Sequence, residues 1–182
     1  MLIIHPQDRT TAMLTLLYKG KEGRIMDNHN TNAEIKRALH HTSAEETIMI
    51  LGHGSEKGLY SRKDDTRPGF DRLLLQHQHA FYLRKHPGHL IGIWCHADCF
   101  ALKEGLHGLF TGMIISEMEE AIEYRVETST KELEQENVKL AQRLRFLLDE
   151  SVPLQDFPAR MTAFDEQHSP LTTFNYQNFY YL

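Results

Sequence analysis

Two short apolar runs constrain this chain more than any other feature in it. Thr47-Ile48-Met49-Ile50-Leu51 leads into Gly52-His53-Gly54-Ser55, and Leu90-Ile91-Gly92-Ile93-Trp94 leads into Cys95-His96-Ala97-Asp98. Runs this short, rich in β-branched residues and without polar alternation, have the composition of strands covered on both faces. Such strands belong to parallel sheets, whose carboxyl ends gather ligands and catalytic groups. The interval between His53 and Cys95 accommodates one strand–helix–strand crossover, which can make the two strand ends neighbours.

The rest of the chain alternates in the same way. Residues 1–5 read as a strand and Ala12 to Tyr18 as another, with a turn over Lys19 to Gly23. Asn30, Thr31 or Asn32 can cap a helix running to about His41. Ser55 to Gly69 is a polar loop with room for a small hairpin. Phe70 to Arg84 has helical spacing through Leu73, Leu74, His77 and Phe81, and Pro87-Gly88 ends it. Asp98 to Leu106 reads as a short helix stopped at Gly105 or Gly108, and Leu109 to Ile115 as a strand. Ser116 with Glu119 has the capping-box pattern and opens a charged helix. That helix breaks near Thr128-Ser129-Thr130 and resumes from Lys131 to Leu148. The aromatic tail, Leu171 to Leu182, is a terminal strand or a covering segment. Trp94 and the tail aromatics are expected in the core. The alternation predicts an α/β domain with a mainly parallel sheet spanning 1–182, without internal repeat or low-complexity linker.

Composition narrows the function classes. The formal net charge is −5 and the basic residues are scattered, a poor match to a nucleic-acid surface. No apolar stretch is long enough to span a bilayer. The start, Met1-Leu2-Ile3-Ile4-His5-Pro6, reads as a first strand rather than a signal peptide. Two cysteines, Cys95 and Cys99, make no disulfide framework, and the expectation is a reduced, cytoplasmic protein. The sequence does not specify an oligomeric state.

The two strand ends carry the residue types of acyl transfer. That chemistry needs a thiolate nucleophile, a group that handles protons, and backbone amides that stabilise an oxyanion. Gly52 permits a tight exit from its strand, and Gly54 leaves its amide open to a close approach. The Cys95 amide is a second donor. A lone histidine at a strand end, or a lone buried cysteine, is ordinary; both together, in this order, point to a site.

The order of apolar strand, His-Gly, crossover, apolar strand and Cys resembles the caspase-like cysteine peptidases of clan CD. That group includes caspases, legumains, gingipains, separases and the CHAT-type bacterial domains. The resemblance covers roughly Ile48 to Ile115. It implies a three-layer α/β sandwich, His53 as the catalytic histidine, Cys95 as the nucleophile, and the amides of Gly54 and Cys95 as the oxyanion hole. It implies a peptide or protein substrate and neither cofactor nor metal. The caspase signature Gln-Ala-Cys-x-Gly is replaced here by Ile93-Trp94-Cys95-His96-Ala97, so a caspase-type preference for aspartate is not implied.

Other readings compete. One is a catalytically inactive caspase-like scaffold. Another is a thiol α/β-hydrolase with Cys95 as nucleophile, Asp149, Asp156 or Asp165 as acid, and His168. Its elbow should be Gly-x-Cys-x-Gly, and neither glycine is present. Cys95 and Cys99, with His86, His89 and His96 close in sequence, have spacing open to zinc, although Cys99 is more simply a core residue of the following helix. His96 is expected at the surface. His77 and His79 diverge on a helix and are expected there too. Glu117, Glu119, Glu120 and Glu123 suit a helix start, and beside a substrate pocket they would suit a basic side chain. No Walker, dinucleotide or Cys-x5-Arg loop is present.

Overall fold

The computed structural model describes residues 1–62 and 69–182. In chain order the strands are β1 (Leu2–Ile4), β2 (Arg24–Met26), β3 (Ile48–Leu51), β4 (Gly54–Ser55), β5 (Gly58–Ser61), β6 (Arg72–Gln76), β7 (Leu90–Ile93), β8 (Gly108–Thr111) and β9 (Phe179–Tyr181). The helices are α1 (Asn32–His41), α2 (His77–Leu83), α3 (Ala97–Glu104), α4 (Met118–Glu123), α5 (Thr130–Asp149), α6 (Phe157–Ala163) and α7 (Pro170–Tyr176).

The main sheet has the order β2-β1-β3-β7-β8-β9. Its strands pair in parallel, except that β9 runs antiparallel to β8. Successive side chains on each strand point to opposite faces, and both faces are covered. Leu2, Ile4, Ile48, Ile50, Leu90 and Phe110 pack with Ile35 and Leu39 of α1, Leu83 of α2 and Phe100 of α3. Ile3, Met49, Leu51, Ile91, Ile93 and Leu109 pack with Leu140, Leu144 and Leu147 of α5 and Phe157 and Met161 of α6. Helices therefore lie on both sides of the sheet, which is why its strands are apolar without alternation. No helix among the described residues is long and apolar enough to cross a membrane.

Local signals explain several boundaries. The Thr31 hydroxyl accepts from the Glu34 amide at 3.2 Å, and the Glu34 carboxylate accepts from the Thr31 amide at 2.7 Å. This capping box opens α1. α3 stops at Gly105, in the left-handed conformation with φ 63°. The charged segment breaks as expected, into α4 and α5.

Several segments differ from the sequence expectation. Ala12–Leu17 is a 3-10 helix rather than a strand, because Leu14 and Leu17, three apart, are buried together against α5. The first half of the Phe70–Arg84 segment is β6, not helix, and its pairing with β5 overrides a spacing compatible with both. Ser55–Gly69 agrees with its reading and begins with the small β4–β5 hairpin; the part of that loop at 63–68 lies outside the described residues. β8 ends at Thr111, so 112–115 leave the sheet and run toward the site.

Candidate functional site

The sheet register brings the two strand ends level. Leu51 pairs with Ile93 across β3 and β7, and His53 and Cys95 each follow two residues later. Gly52 turns the chain out of β3 with φ 138°, a conformation that excludes most side chains. Trp94 then ties the ends together. Its indole Nε1 donates to the Ser55 carbonyl at 3.2 Å, and its ring packs on Gly54 so closely that a Cβ there would collide with Trp94 and, at 2.6 Å, with the Gly58 carbonyl. Trp94 is buried, as expected.

His53 is buried and held through Nε2. The Thr10 hydroxyl lies 2.7 Å from Nε2 and itself donates to Asp8 Oδ1 at 3.0 Å. Having given its proton to Asp8, that hydroxyl accepts from Nε2–H. Asp8 Oδ2 lies 3.2 Å from the same nitrogen. The neutral ring therefore carries its lone pair on Nδ1, the nitrogen left to act as a base. Asp8 is fixed in turn: Oδ1 accepts from the Thr10 amide at 3.1 Å, the Thr11 amide at 3.0 Å and the Thr11 hydroxyl at 2.9 Å. Burial alone would raise the Asp8 carboxyl, but the hydrogen bond from His53, its charge and the Thr11 donors hold it far below the usual carboxylate range.

Cys95 is half-buried at the entrance to α3. Its thiol donates to the Ile114 carbonyl at 3.6 Å and lies 3.9 Å from Glu120 Oε1. Burial first, then the Glu120 charge, push the thiol up to about 12. Burial also raises Glu120, although Oε2 accepts from the amides of Ser116 at 2.7 Å and Glu117 at 3.0 Å. Glu117 Oε1 lies 3.8 Å from His53 Nε2. The capping box at this helix start is Glu117 with Glu120, one residue later than the expected Ser116 with Glu119. No hydrogen bond joins His53 to Cys95 among the described residues.

Two backbone amides at these strand ends make no hydrogen bond among the described residues. The Tyr60 amide donates to the His53 carbonyl at 2.8 Å. In an antiparallel ladder the next pair, Gly54 with Leu59, is then the non-hydrogen-bonded one, so the Gly54 N–H is turned out of the ladder. The Cys95 N–H makes no hydrogen bond among the described residues, whereas the next two amides donate to Gly112 and Trp94. A cavity of 790 Å³, lined by Thr10, Arg62, Glu117, Glu119 and Glu134 among others, adjoins the partners of His53.

The other expected residues lie apart from this pair. Asp149 is engaged by Lys21 and Arg145, and His168 pairs with Asp165 in the segment before α7. Among the described residues Cys95 contacts neither His168 nor Asp149, Asp156 or Asp165, so the hydrolase triad is not assembled around it. Cys99 is exposed rather than core, because its position on α3 faces away from the sheet. His77 is exposed, but His79 is buried: its Nδ1 accepts from the Gln76 amide at 3.0 Å and its Nε2 faces the Asn32 carbonyl at 3.3 Å. Sequence reasoning missed Asp8 and Thr10. The available signal was Asp8-Arg9-Thr10-Thr11, a polar turn beyond the carboxyl end of β1, a third strand neighbouring β3.

No protein-family model matches the chain, and no curated protein matches it.

Proposed function

We propose that this protein is a caspase-like cysteine peptidase that cleaves peptide substrates by acyl transfer, with Cys95 as nucleophile and His53 as general acid and base. One observation carries the reading: His53 and Cys95 stand level at adjacent strand ends, with the unpaired amides of Gly54 and Cys95 beside them. The helix–sheet–helix layering is in keeping with the fold implied by the sequence resemblance. The reading includes a reducing, cytoplasmic setting, consistent with two free thiols, and needs neither cofactor nor nucleic acid.

On this reading the steps are those of acyl transfer. Substrate displaces the thiol from the Ile114 carbonyl, and Nδ1 of His53 takes its proton. The sulfur attacks the scissile carbonyl, and the oxyanion is received by the Gly54 and Cys95 amides. His53 returns the proton to the leaving amine, and water then cleaves the thioester. Asp8 and Thr10 keep Nε2 protonated and the ring oriented throughout, as an orienting carboxylate does. Glu117, Glu119 and Glu134 on the cavity wall suit a substrate with a basic side chain.

The thiol itself favours a second reading, an inactive scaffold. A sulfur hydrogen-bonded to a carbonyl and pushed up to about 12 is not activated at rest. A fluorogenic peptide screen, with lysine or arginine before the scissile bond, separates the two. Cleavage that disappears in Cys95→Ala supports the peptidase; cleavage that persists in a folded Cys95→Ala protein overturns it. Absence of cleavage across the screen favours the scaffold.

A further inference from the structure

We propose that His96, Asp98 and Cys99 form a binding site for a thiophilic divalent cation such as zinc, at the first turn of α3 and separate from the Cys95 thiol. The three side chains offer an imidazole nitrogen, a carboxylate oxygen and a sulfur, all within 4.8 Å of one another. Around a tetrahedral zinc with bonds of about 2.0–2.3 Å, donors stand roughly 3.3–3.8 Å apart. Rotamer adjustment of these half-buried and exposed side chains closes that difference.

The local fold gathers the three. His96 occupies the N-cap position in the left-handed conformation, φ 64°, and Asp98 and Cys99 follow in the first turn. The set mixes donor types, and nitrogen, oxygen and thiolate sulfur together match zinc better than magnesium or calcium.

A second observation is independent of this spacing. Asp98 Oδ1 is buried and has no hydrogen-bond partner among the described residues. A carboxylate oxygen withdrawn from water without a donor is destabilising, and such orphans call for a partner. A cation held with Cys99 and His96 supplies one. Nearby groups leave the set available. His96 contacts the Tyr124 hydroxyl at 3.3 Å from Nε2. The Cys95 sulfur is committed to Ile114 and Glu120 and is not part of the set.

The test is Co²⁺ titration of the reduced full-length protein, read by absorption. Thiolate coordination produces a sulfur-to-cobalt charge-transfer band, and tetrahedral geometry produces intense visible bands. The expected result is saturation at one equivalent in the wild type and in Cys95→Ala, with the charge-transfer band absent in Cys99→Ser. His96→Ala and Asp98→Asn should each weaken binding by about tenfold or more, at least the scale of losing an outer-shell group. A band that survives Cys99→Ser, that vanishes in folded Cys95→Ala, or that never forms would overturn the site. Because Cys99 is exposed, its replacement by serine tests coordination rather than folding, and circular dichroism of the variant checks this.

Discussion

Glu104 and Asp8 are both buried carboxylates, each with a side chain 3% exposed, and their surroundings are opposite in kind. Glu104 faces the Arg84 guanidinium at 3.1 Å and His77 Nδ1 at 2.8 Å. Arg84 Nε also donates to the Glu104 carbonyl at 2.6 Å. There, two basic side chains close around one anion and pin α2 to α3. Asp8 shares a single imidazole with Glu117, and Glu120 stands close enough to act on both His53 and Cys95. Arg62 reaches Asp8 only at 4.0 Å. A closed cluster of charges is a structural fastening. An acid-rich one around a thiol, an imidazole and two unpaired amides has the arrangement of a functional site.

Substitutions should separate the two clusters sharply. On the peptidase reading, Cys95→Ala and His53→Ala each lower turnover on the order of 10³-fold or more while the fold persists; peptide cleavage with thermal melts measures both. Asp8→Asn should lower kcat on the order of 10²-fold with KM little changed, because the orienting acceptor of Nε2–H is weakened. Arg84→Ala should do the reverse. Activity stays, and stability falls by about 2–3 kcal/mol, since Glu104 keeps only the exposed His77 as partner. Denaturant melts decide this, and a loss of kcat in Arg84→Ala would erase the contrast.

Acid should also act first at the site end. Burial lowers His5 from 6.5 to about 4, so the folded protein keeps this ring neutral where the unfolded chain protonates it. Stability from this group is complete above pH 6.5 and is lost as pH falls toward 4, a contribution of roughly 3 kcal/mol at its full extent. His5→Gln should flatten that part of the stability–pH curve. Asp8 stays ionised across the same window, because its carboxyl is held low.

The smallest expected effect concerns the thiol. Replacing Glu120 by glutamine preserves an acceptor for the Ser116 and Glu117 amides and removes the charge that raises Cys95. The thiol should titrate lower, and iodoacetamide should label Cys95 about tenfold faster at pH 8, the change that one pKa unit produces. An unchanged rate would leave burial as the whole cause.

Much of the fold was legible because its signals are local. β3 and β7 announce themselves by unbroken apolar composition, and Thr31 with Glu34 marks the start of α1. The misread segments depend on distant partners. Leu14 and Leu17 form a 3-10 turn because α5, more than a hundred residues later, covers them. Leu73 to Gln76 become a strand because β5 offers an edge. At the site, His53, Gly54 and Cys95 were visible as strand-end residues, whereas Asp8 was not. Its role arises from Thr10 and Thr11 beside it and from an imidazole brought across the sheet, and no spacing in the chain encodes that meeting. Glu120 acts on the thiol for a similar reason: the segment after β8 folds back over Cys95.

The central claim is that His53 drives Cys95 chemistry although the thiol is unactivated at rest. Its most direct test is labelling by a peptidyl acyloxymethyl ketone with a basic residue next to the warhead, followed by intact and peptide mass spectrometry at neutral pH. The expected result is one label on Cys95 in the wild type, forming at least about 100-fold more slowly in His53→Ala, the scale of general acid–base assistance. Equal rates in the two proteins, a label on Cys99, or no label at all would contradict it.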